Sequence, residues 1–197
     1  KAGVNGVSFR GAQQSCRVDN LIVRGFGAAT GLTLHGDTYT VRDCFVDAAK
    51  GGGLSVAVVG ATAFKFPEQV YSLALNNITS HNCEVGLEAS DLHQVGITNF
   101  ETETTTQPLL FTYNVIGVNL SNCAFRHTDE ILKITKARWP QEYLVKLNGM
   151  TADGRGGTIR YPDGETWSSP RKVFDLVIEG NNSGLFITDL KEQRSQA

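Results

Sequence analysis

Four residues of this 197-residue chain are candidates, by their type and spacing, for proton transfer in catalysis: Asp47, His81, Glu101 and Glu103. Carboxyl pairs cleave glycosidic bonds, with a separation of roughly 5 to 5.5 Å for retention and roughly 6.5 to 9.5 Å for inversion of configuration. Histidine is the commonest general acid or base in enzymes. These residue types therefore point to polysaccharide cleavage, provided that the fold brings them together.

The distances between these acids depend on the strands that carry them. If they lie on stacked parallel strands, Asp47 and Glu103 are two strands apart, about 9.6 Å, and His81 lies between them. Glu101 and Glu103 are two residues apart, about 6.8 Å along one strand face. Both pairs lie near the range for an inverting mechanism.

A column of chargeable residues contains three of the four candidates. Its members occupy one position of a sequence repeat: Arg24, Asp47, His81, Glu103, Arg126 and Asp153. One interpretation is a solvated ladder of ion pairs, each of which contributes little to stability. The other is a polar groove in which Arg24 and Arg126 contact a hydroxyl-rich or anionic polymer. The sequence leaves both interpretations open.

The repeat is anchored on one polar corner residue. The anchors are Asn20, Asp43, Asn77, Asn99, Asn122 and Gly149, with spacings of 23, 34, 22, 23 and 27 residues. Asn, Asp and Gly tolerate the left-handed backbone that a tight corner requires. Apolar residues recur at constant offsets and alternate with polar ones, which is the period of a strand. This pattern predicts inward columns, among them Leu32, Leu54 (of the segment LSV) and Leu87, and Leu34, Val56 and Ala89.

Short strands in a repeat of about 22 residues predict an all-β fold, a right-handed single-stranded parallel β-helix of about seven turns. We expect one domain over residues 1–197, with partial turns at 1–15 and 173–197, and a piece of a longer protein. A leucine-rich horseshoe is disfavoured because no helical period is present. A two-sheet sandwich is an alternative that predicts Asn-Gly hairpin turns; the chain has Asn5-Gly6 and Asn148-Gly149, and the latter lies at a repeat anchor.

Three insertions interrupt the repeat. They are expected to be exposed loops at Ala57–Ser72, Lys136–Tyr143 and Pro162–Lys172. Insertions in a solenoid tend to fall on its binding face. The aromatic residues in them are candidate sugar-stacking groups: Phe64, Phe66, Tyr71, Trp139 and Trp167. The alternative is that these loops cover the flank of the solenoid or contact another subunit.

Composition excludes several classes of protein. A net charge of −2 with mixed acids and bases gives no basic stripe for nucleic acid. No apolar run is long enough to predict a membrane span. The four cysteines include no metal-binding CxxC pair, and two of them, Cys44 and Cys123, lie three turns apart, about 14 Å. We therefore expect four reduced thiols and no metal or other cofactor.

The segments 18–26 (VDNLIVRGF), 31–36 (GLTLHG) and 97–100 (ITNF) resemble the pectate-lyase-like superfamily of β-helices. The closest resemblance within it is to bacteriophage tailspikes and appendage proteins. That resemblance implies a homotrimer, a location in the virion or outside the cell after synthesis in the cytoplasm, and recognition of bacterial surface polysaccharide. It also implies frequent cleavage of that polymer. Lyases of this superfamily often hold Ca²⁺ in acid clusters, but this chain has no dense Asp run.

Three functional hypotheses follow from these observations. The first is a tailspike-like module that recognises, and in some cases depolymerises, bacterial surface polysaccharide. The second is a structural segment of a virion or stalk without catalysis. The third is a free-standing polysaccharide lyase or epimerase. A reaction, if there is one, would be that of a polysaccharide lyase or a glycoside hydrolase.

Overall fold

A computed structural model describes residues 6–10, 15–49, 56–128, 130–135, 142–152, 157–160, 166–169, 173–181 and 184–189. The regular elements in these ranges are all strands. The described part of the chain contains no helix with the length and hydrophobicity that a membrane crossing requires.

Sixteen strands form one continuous hydrogen-bonded network. The first eight are β1 (Val7–Arg10), β2 (Cys16–Asp19), β3 (Ile22–Arg24), β4 (Thr30–His35), β5 (Thr38–Asp47), β6 (Val58–Val70), β7 (Ser72–His81) and β8 (Cys83–Glu103). The others are β9 (Gln107–Ser121), β10 (Ala124–Arg126), β11 (Leu132–Ile134), β12 (Glu142–Ala152), β13 (Gly157–Arg160), β14 (Thr166–Ser169), β15 (Val173–Asn181) and β16 (Gly184–Asp189).

The strands stack in parallel as a β-solenoid of about six turns, which confirms the predicted fold class. Each turn contains three strand stretches, and each stretch pairs in parallel with the corresponding stretch of the next turn. In the turn that includes β8, Ile78 pairs with Phe100, Leu87 with Leu109 and Ile97 with Leu120. We call the surfaces that carry these three stretches face 1, face 2 and face 3, in that order. A site on one face is therefore built from residues about one repeat apart in sequence.

All six predicted anchor residues have a left-handed backbone. Their φ values lie between 51° and 63°, at Asn20, Asp43, Asn77, Asn99, Asn122 and Gly149. Two successive anchors also bond to each other, since Asn77 Nδ2 donates to Asp43 Oδ1 at 2.6 Å. The anchors therefore form the corner between face 3 and face 1 and have a structural role.

The predicted inward columns pair in register through the solenoid. The column that begins at Val18 continues through Val41, Leu75, Ile97, Leu120 and Leu147. All of these side chains are buried. Burying one Leu or Ile side chain stabilises a fold by roughly 1.5 to 3 kcal/mol. Stacked apolar columns are therefore the main stabilising feature of the fold.

One inward assignment is wrong. The sequence pattern placed Leu54 and Val56 inside the second turn, but Val56 is 69% exposed and Leu54 lies outside the described residues. Phe64 takes the predicted place of Leu54, pairing with Leu32 and Leu87. Both LSV and FKF have the required alternation, so spacing could not choose between them. The larger aromatic rings fill more of the interior, and Phe64 packs edge-on against Phe100.

The end of the described chain departs from the predicted partial turn. β14 pairs antiparallel with β13, and β15 pairs antiparallel with both β12 and β16. Leu176 and Ile178 of β15 are fully buried. A parallel solenoid otherwise ends in an open strand edge, and a reversed strand pairs with that edge and covers the last turn. This reversal explains why the solenoid has about six turns and not seven.

The four cysteines are unpaired, as predicted. Cys44, Cys83 and Cys123 are buried and Cys16 is half-buried. Burial in an apolar interior raises the pKa of Cys83 to about 12 and that of Cys123 to about 11. These thiols therefore behave as small core residues and not as nucleophiles.

Candidate functional site

The predicted charged column exists on face 1. Parallel pairing places its members in register, in the order Arg24, Asp47, His81, Glu103 and Arg126. Asp153 lies outside the described residues. This register follows from the left-handed corner residues. Each of them ends one strand stretch, so the alternation of inward and outward side chains begins again at the same position in every turn. The sequence thus predicted correctly which of these residues are neighbours.

A second column lies beside the first, two residues earlier on each strand. It runs through Ile22, Phe45, Thr79, Glu101 and Ala124. The sequence pattern predicts no functional role for Phe45. Its position two residues before Asp47 would have placed it on this face, because alternate residues of a strand share a face.

Phe45 joins the two columns. The Arg24 guanidinium carbon lies 5.0 Å from the centroid of the Phe45 ring, and the His81 ring packs edge-on against it with centroids 4.8 Å apart. A cation over an aromatic ring is attracted by about 0.5 to 1 kcal/mol at an exposed site. On the N-terminal turns, face 1 therefore carries a patch in which the Phe45 ring is flanked by the Arg24 guanidinium and the His81 imidazole.

The exposed acids of face 1, Glu101 and Glu103, lie on the turn that follows His81. Arg126 Nη1 lies 3.1 Å from Glu101 Oε1, and His81 Nε2 lies 3.8 Å from Glu103 Oε2. Glu101, Glu103 and Arg126 are each between two-fifths and one-half exposed. Exposed ion pairs stabilise a fold by at most about 1 kcal/mol. Solvent and ligands can reach these groups, so the ladder of weak ion pairs and the polar groove are compatible descriptions of one surface.

Asp47 differs from the prediction of an exposed acid. It is only 6% exposed, and its Oδ1 accepts hydrogen bonds from the Ala49 backbone nitrogen at 2.9 Å and from Asn82 Nδ2 at 3.0 Å. The carboxylate is turned into the corner that follows face 1 and satisfies the polar groups there. The expectation of an exposed Asp47 is therefore wrong, and its carboxylate supports the corner; a catalytic role of Asp47 with Glu103 stays a prediction.

Glu101 and Glu103 remain as the exposed acid pair. Residues two apart on a strand are about 6.8 Å apart, near the separation that leaves room for a water molecule in an inverting glycosidase. His81 adjoins Glu103 on the preceding turn. The arrangement can supply one group that protonates a leaving oxygen and one that accepts a proton from water.

A surface pocket of about 260 Å³ lies at the corner that follows these strands. Its lining consists of Val56, Ala57, Thr104, Thr105, Thr106, His127 and Thr128. Thr104 directly follows Glu103, and His127 directly follows Arg126. The column therefore leads into the pocket, which offers hydroxyl groups, an imidazole and a small apolar wall. The sequence gives no local signal for this pocket, since its lining comes from three segments on separate turns.

The predicted aromatic binding residues have different outcomes. Phe64 and Phe66 are fully buried in the core and not on an exposed loop, which corrects both assignments. Residues 58–70 continue the strand of face 2, so alternation turns both rings inward. Tyr71 is 52% exposed, as expected, but lies at the corner between face 2 and face 3. Trp139 lies outside the described residues, and only the backbone of Trp167 is described, in β14.

No group of three or more His, Cys, Asp or Glu side chains in the described ranges could hold a metal ion. The expectation of a site without a metal or other cofactor stays a prediction.

Comparisons of the chain with protein-family models, with curated proteins and with solved structures found no match. Many unrelated functions share one fold, so the β-solenoid does not name an activity. The function of this chain must be inferred from the chemistry of its surface.

Proposed function

We propose that this chain is a polysaccharide-binding β-solenoid module, similar to a phage tailspike, that recognises a bacterial surface polysaccharide along face 1. One observation carries the proposal. The in-register ladder from Arg24 to Arg126 continues over successive turns and leads into the pocket beside Thr104 and His127. A polymer with a regular repeat matches a surface with a regular repeat, because each turn can meet the next part of the chain.

The side chains of face 1 suit a hydroxyl-rich ligand. A sugar hydroxyl both donates and accepts hydrogen bonds, and the face presents donors at Arg24 and Arg126 and acceptors at Glu101 and Glu103. Phe45 adds an apolar ring against which the C–H face of a sugar can pack. Binding sites usually combine an apolar surface with a few well-placed polar groups.

Cleavage of the bound polymer is the second part of the proposal, and it rests on the exposed acid pair. In an inverting reaction, one carboxylic acid gives its proton to the leaving glycosidic oxygen. The other carboxylate takes a proton from the water that attacks the anomeric carbon. Glu101 and Glu103 are assigned to these roles, with His81 positioning Glu103.

A glycan array of bacterial surface polysaccharides, followed by a reducing-end assay on each polymer that binds, tests both parts. Arg126→Ala should weaken binding. Glu103→Gln keeps an acceptor oxygen of the same shape, so it should change binding much less than Arg126→Ala does, and it should lower the cleavage rate by about 10²-fold or more. Glu88→Gln is the matched control, since Glu88 lies on face 2 in an ion pair with Lys65 at 2.8 Å and should change neither quantity.

The outcomes separate the competing hypotheses. Binding without new reducing ends would leave recognition standing and refute the catalytic assignment. No binding to any polymer would refute the proposal and favour a structural segment. The tailspike likeness also predicts a homotrimer of the virion-borne or extracellular protein, and sedimentation equilibrium showing a strict monomer of the intact protein would contradict it.

A further inference from the structure

The corner between face 2 and face 3 carries a second group of exposed aromatic side chains. Tyr71 is 52% exposed and Tyr113 is 51% exposed. Tyr71 lies between β6 and β7, next to His93 on the following turn, because Val70 pairs with Leu92. Tyr113 lies on the turn that follows the turn of His93. It is opposite Asp91, because Thr112 pairs with Ser90 and Val115 pairs with Leu92. The two tyrosines therefore flank one corner of the solenoid.

The ring of Tyr71 is held in place by its neighbours. It stacks on the His93 ring with centroids 5.6 Å apart and an angle of 25°. The Tyr71 hydroxyl donates to Gln69 Oε1 at 3.0 Å, and Gln69 Nε2 lies 3.4 Å from His93 Nε2. His93 Nε2 is also 3.4 Å from Asp91 Oδ1. A ring fixed in this way loses little conformational freedom when a ligand packs against it.

Tyr113 has a backbone conformation that a tyrosine rarely adopts. Its φ is 65°, in the left-handed region that favours Gly or Asn. The strand is also bulged here, since two residues of β9 stand opposite Asp91 of β8. Bulges re-aim side chains, and strained backbone is concentrated at functional sites. The bulge places the Tyr113 side chain at the exposed corner and not in the core.

We infer that Tyr71, His93 and Tyr113, with Gln69 and Asp91, form a second carbohydrate site, which binds a neutral hexopyranose. The flat aromatic surface suits the C–H face of a pyranose ring. The amide of Gln69 and the carboxylate of Asp91 can bond the hydroxyls at the edge of that ring. Asp91 and Glu68, which directly precedes Gln69 in the chain and pairs with His35 at 2.9 Å, disfavour an acidic sugar over an uncharged one.

The site is separate from face 1. It lies on a different corner and shares no residue with the ladder or with the pocket beside Thr104 and His127. It thus does not depend on the function proposed for face 1. A second site for the same polymer would also raise the overall affinity through multivalency.

The test is a titration of the intact protein, followed by NMR, with three neutral probes: methyl α-D-glucopyranoside, methyl β-D-galactopyranoside and methyl α-D-mannopyranoside. Sodium glucuronate is the acidic comparison. At least one neutral glycoside should shift the ring resonances of Tyr71 and His93, and glucuronate should not. Tyr71→Ala should weaken that binding about tenfold, while Tyr71→Phe, which keeps the ring, should bind nearly as well as the wild type.

Two further variants distinguish binding from a structural role. Tyr113→Gly removes the aromatic ring but relieves the left-handed strain, so it should weaken binding while the melting temperature stays level or rises. Phe9→Ala removes an exposed ring elsewhere, on β1, and should bind as the wild type does. The inference is overturned if no neutral glycoside binds, or if Tyr71→Ala binds as tightly as the wild type. Either result leaves the face 1 proposal standing, because that proposal is tested with Arg126 and Glu103 variants.

Discussion

Two hydroxyl groups in the interior of the solenoid provide a sharp test of its energetics. Ser80 and Thr102 pair in register on adjacent turns, and both are 0% exposed. Neither Ser80 Oγ nor Thr102 Oγ1 has a hydrogen-bond partner among the described residues. The same inward column holds valine at Val23 and Val46. Thr102→Val should therefore fit the site and stabilise the protein.

The expected gain can be worked out from the buried hydroxyl. Leaving a polar group buried without a partner costs about 1 to 3 kcal/mol, and the methyl group that replaces it gains about 0.8 kcal/mol on burial. The net gain is smaller than the sum of these two contributions, because neighbouring polar groups already offset part of the cost of burying the hydroxyl. Thr102→Val should therefore raise the free energy of unfolding by about 1 to 2 kcal/mol. For a chain of this size, that corresponds to a rise in melting temperature of about 2 to 8 °C.

Urea unfolding followed by far-ultraviolet circular dichroism measures this change. Thr128→Val is the matched control, because Thr128 is also buried but its Oγ1 donates to Thr106 O at 3.2 Å. The control should lose about 1 kcal/mol. If Thr102→Val destabilised the protein as much as Thr128→Val does, the Thr102 hydroxyl would have a partner such as an enclosed water, and the reasoning would be refuted.

Two other predictions concern the corners and the core. Asn99→Ala should lower the free energy of unfolding by about 1 to 2 kcal/mol because its φ of 54° is unfavourable for alanine, while Asn99→Gly should cost little; equal losses in urea unfolding would show that the backbone is not the cause. The pKa of Cys83 is raised to about 12 by burial, so the folded state retains a proton that the unfolded chain loses above about pH 9. The free energy of unfolding should therefore fall by about 1.4 kcal/mol for each pH unit between pH 9 and pH 12 from this group. The Cys83→Ala variant should show a shallower decline over that range, and identical slopes for the two proteins would contradict the assignment.

Local signals made much of the fold predictable. Each anchor from Asn20 to Gly149 needs a left-handed backbone, and this preference belongs to one residue and its immediate neighbours. Strand alternation then determines which neighbours point inward. The order of Arg24, His81, Glu103 and Arg126 on face 1 followed from these two rules alone.

The candidate sites were less predictable because they depend on contacts between turns. Alternation is satisfied equally by Leu54 and Phe64, and it is the pairing of Phe64 with the neighbouring turns, together with its packing against Phe100, that places it inside. Asp47 has the spacing of an exposed acid, but Asn82 from the next turn holds it in the corner.

The repeat, the left-handed corners and the composition of each column could thus be predicted from the sequence, because these features depend on single residues and their nearest neighbours. Three features required the folded chain: which insertion residues enter the core, how β15 reverses over the last turn, and which side chains meet at face 1 and at the Tyr71 corner. Those outcomes depend on the volume of the interior and on hydrogen bonds between turns. Both involve residues about 22 or more positions apart in the chain, so neither can be read from a short stretch of sequence.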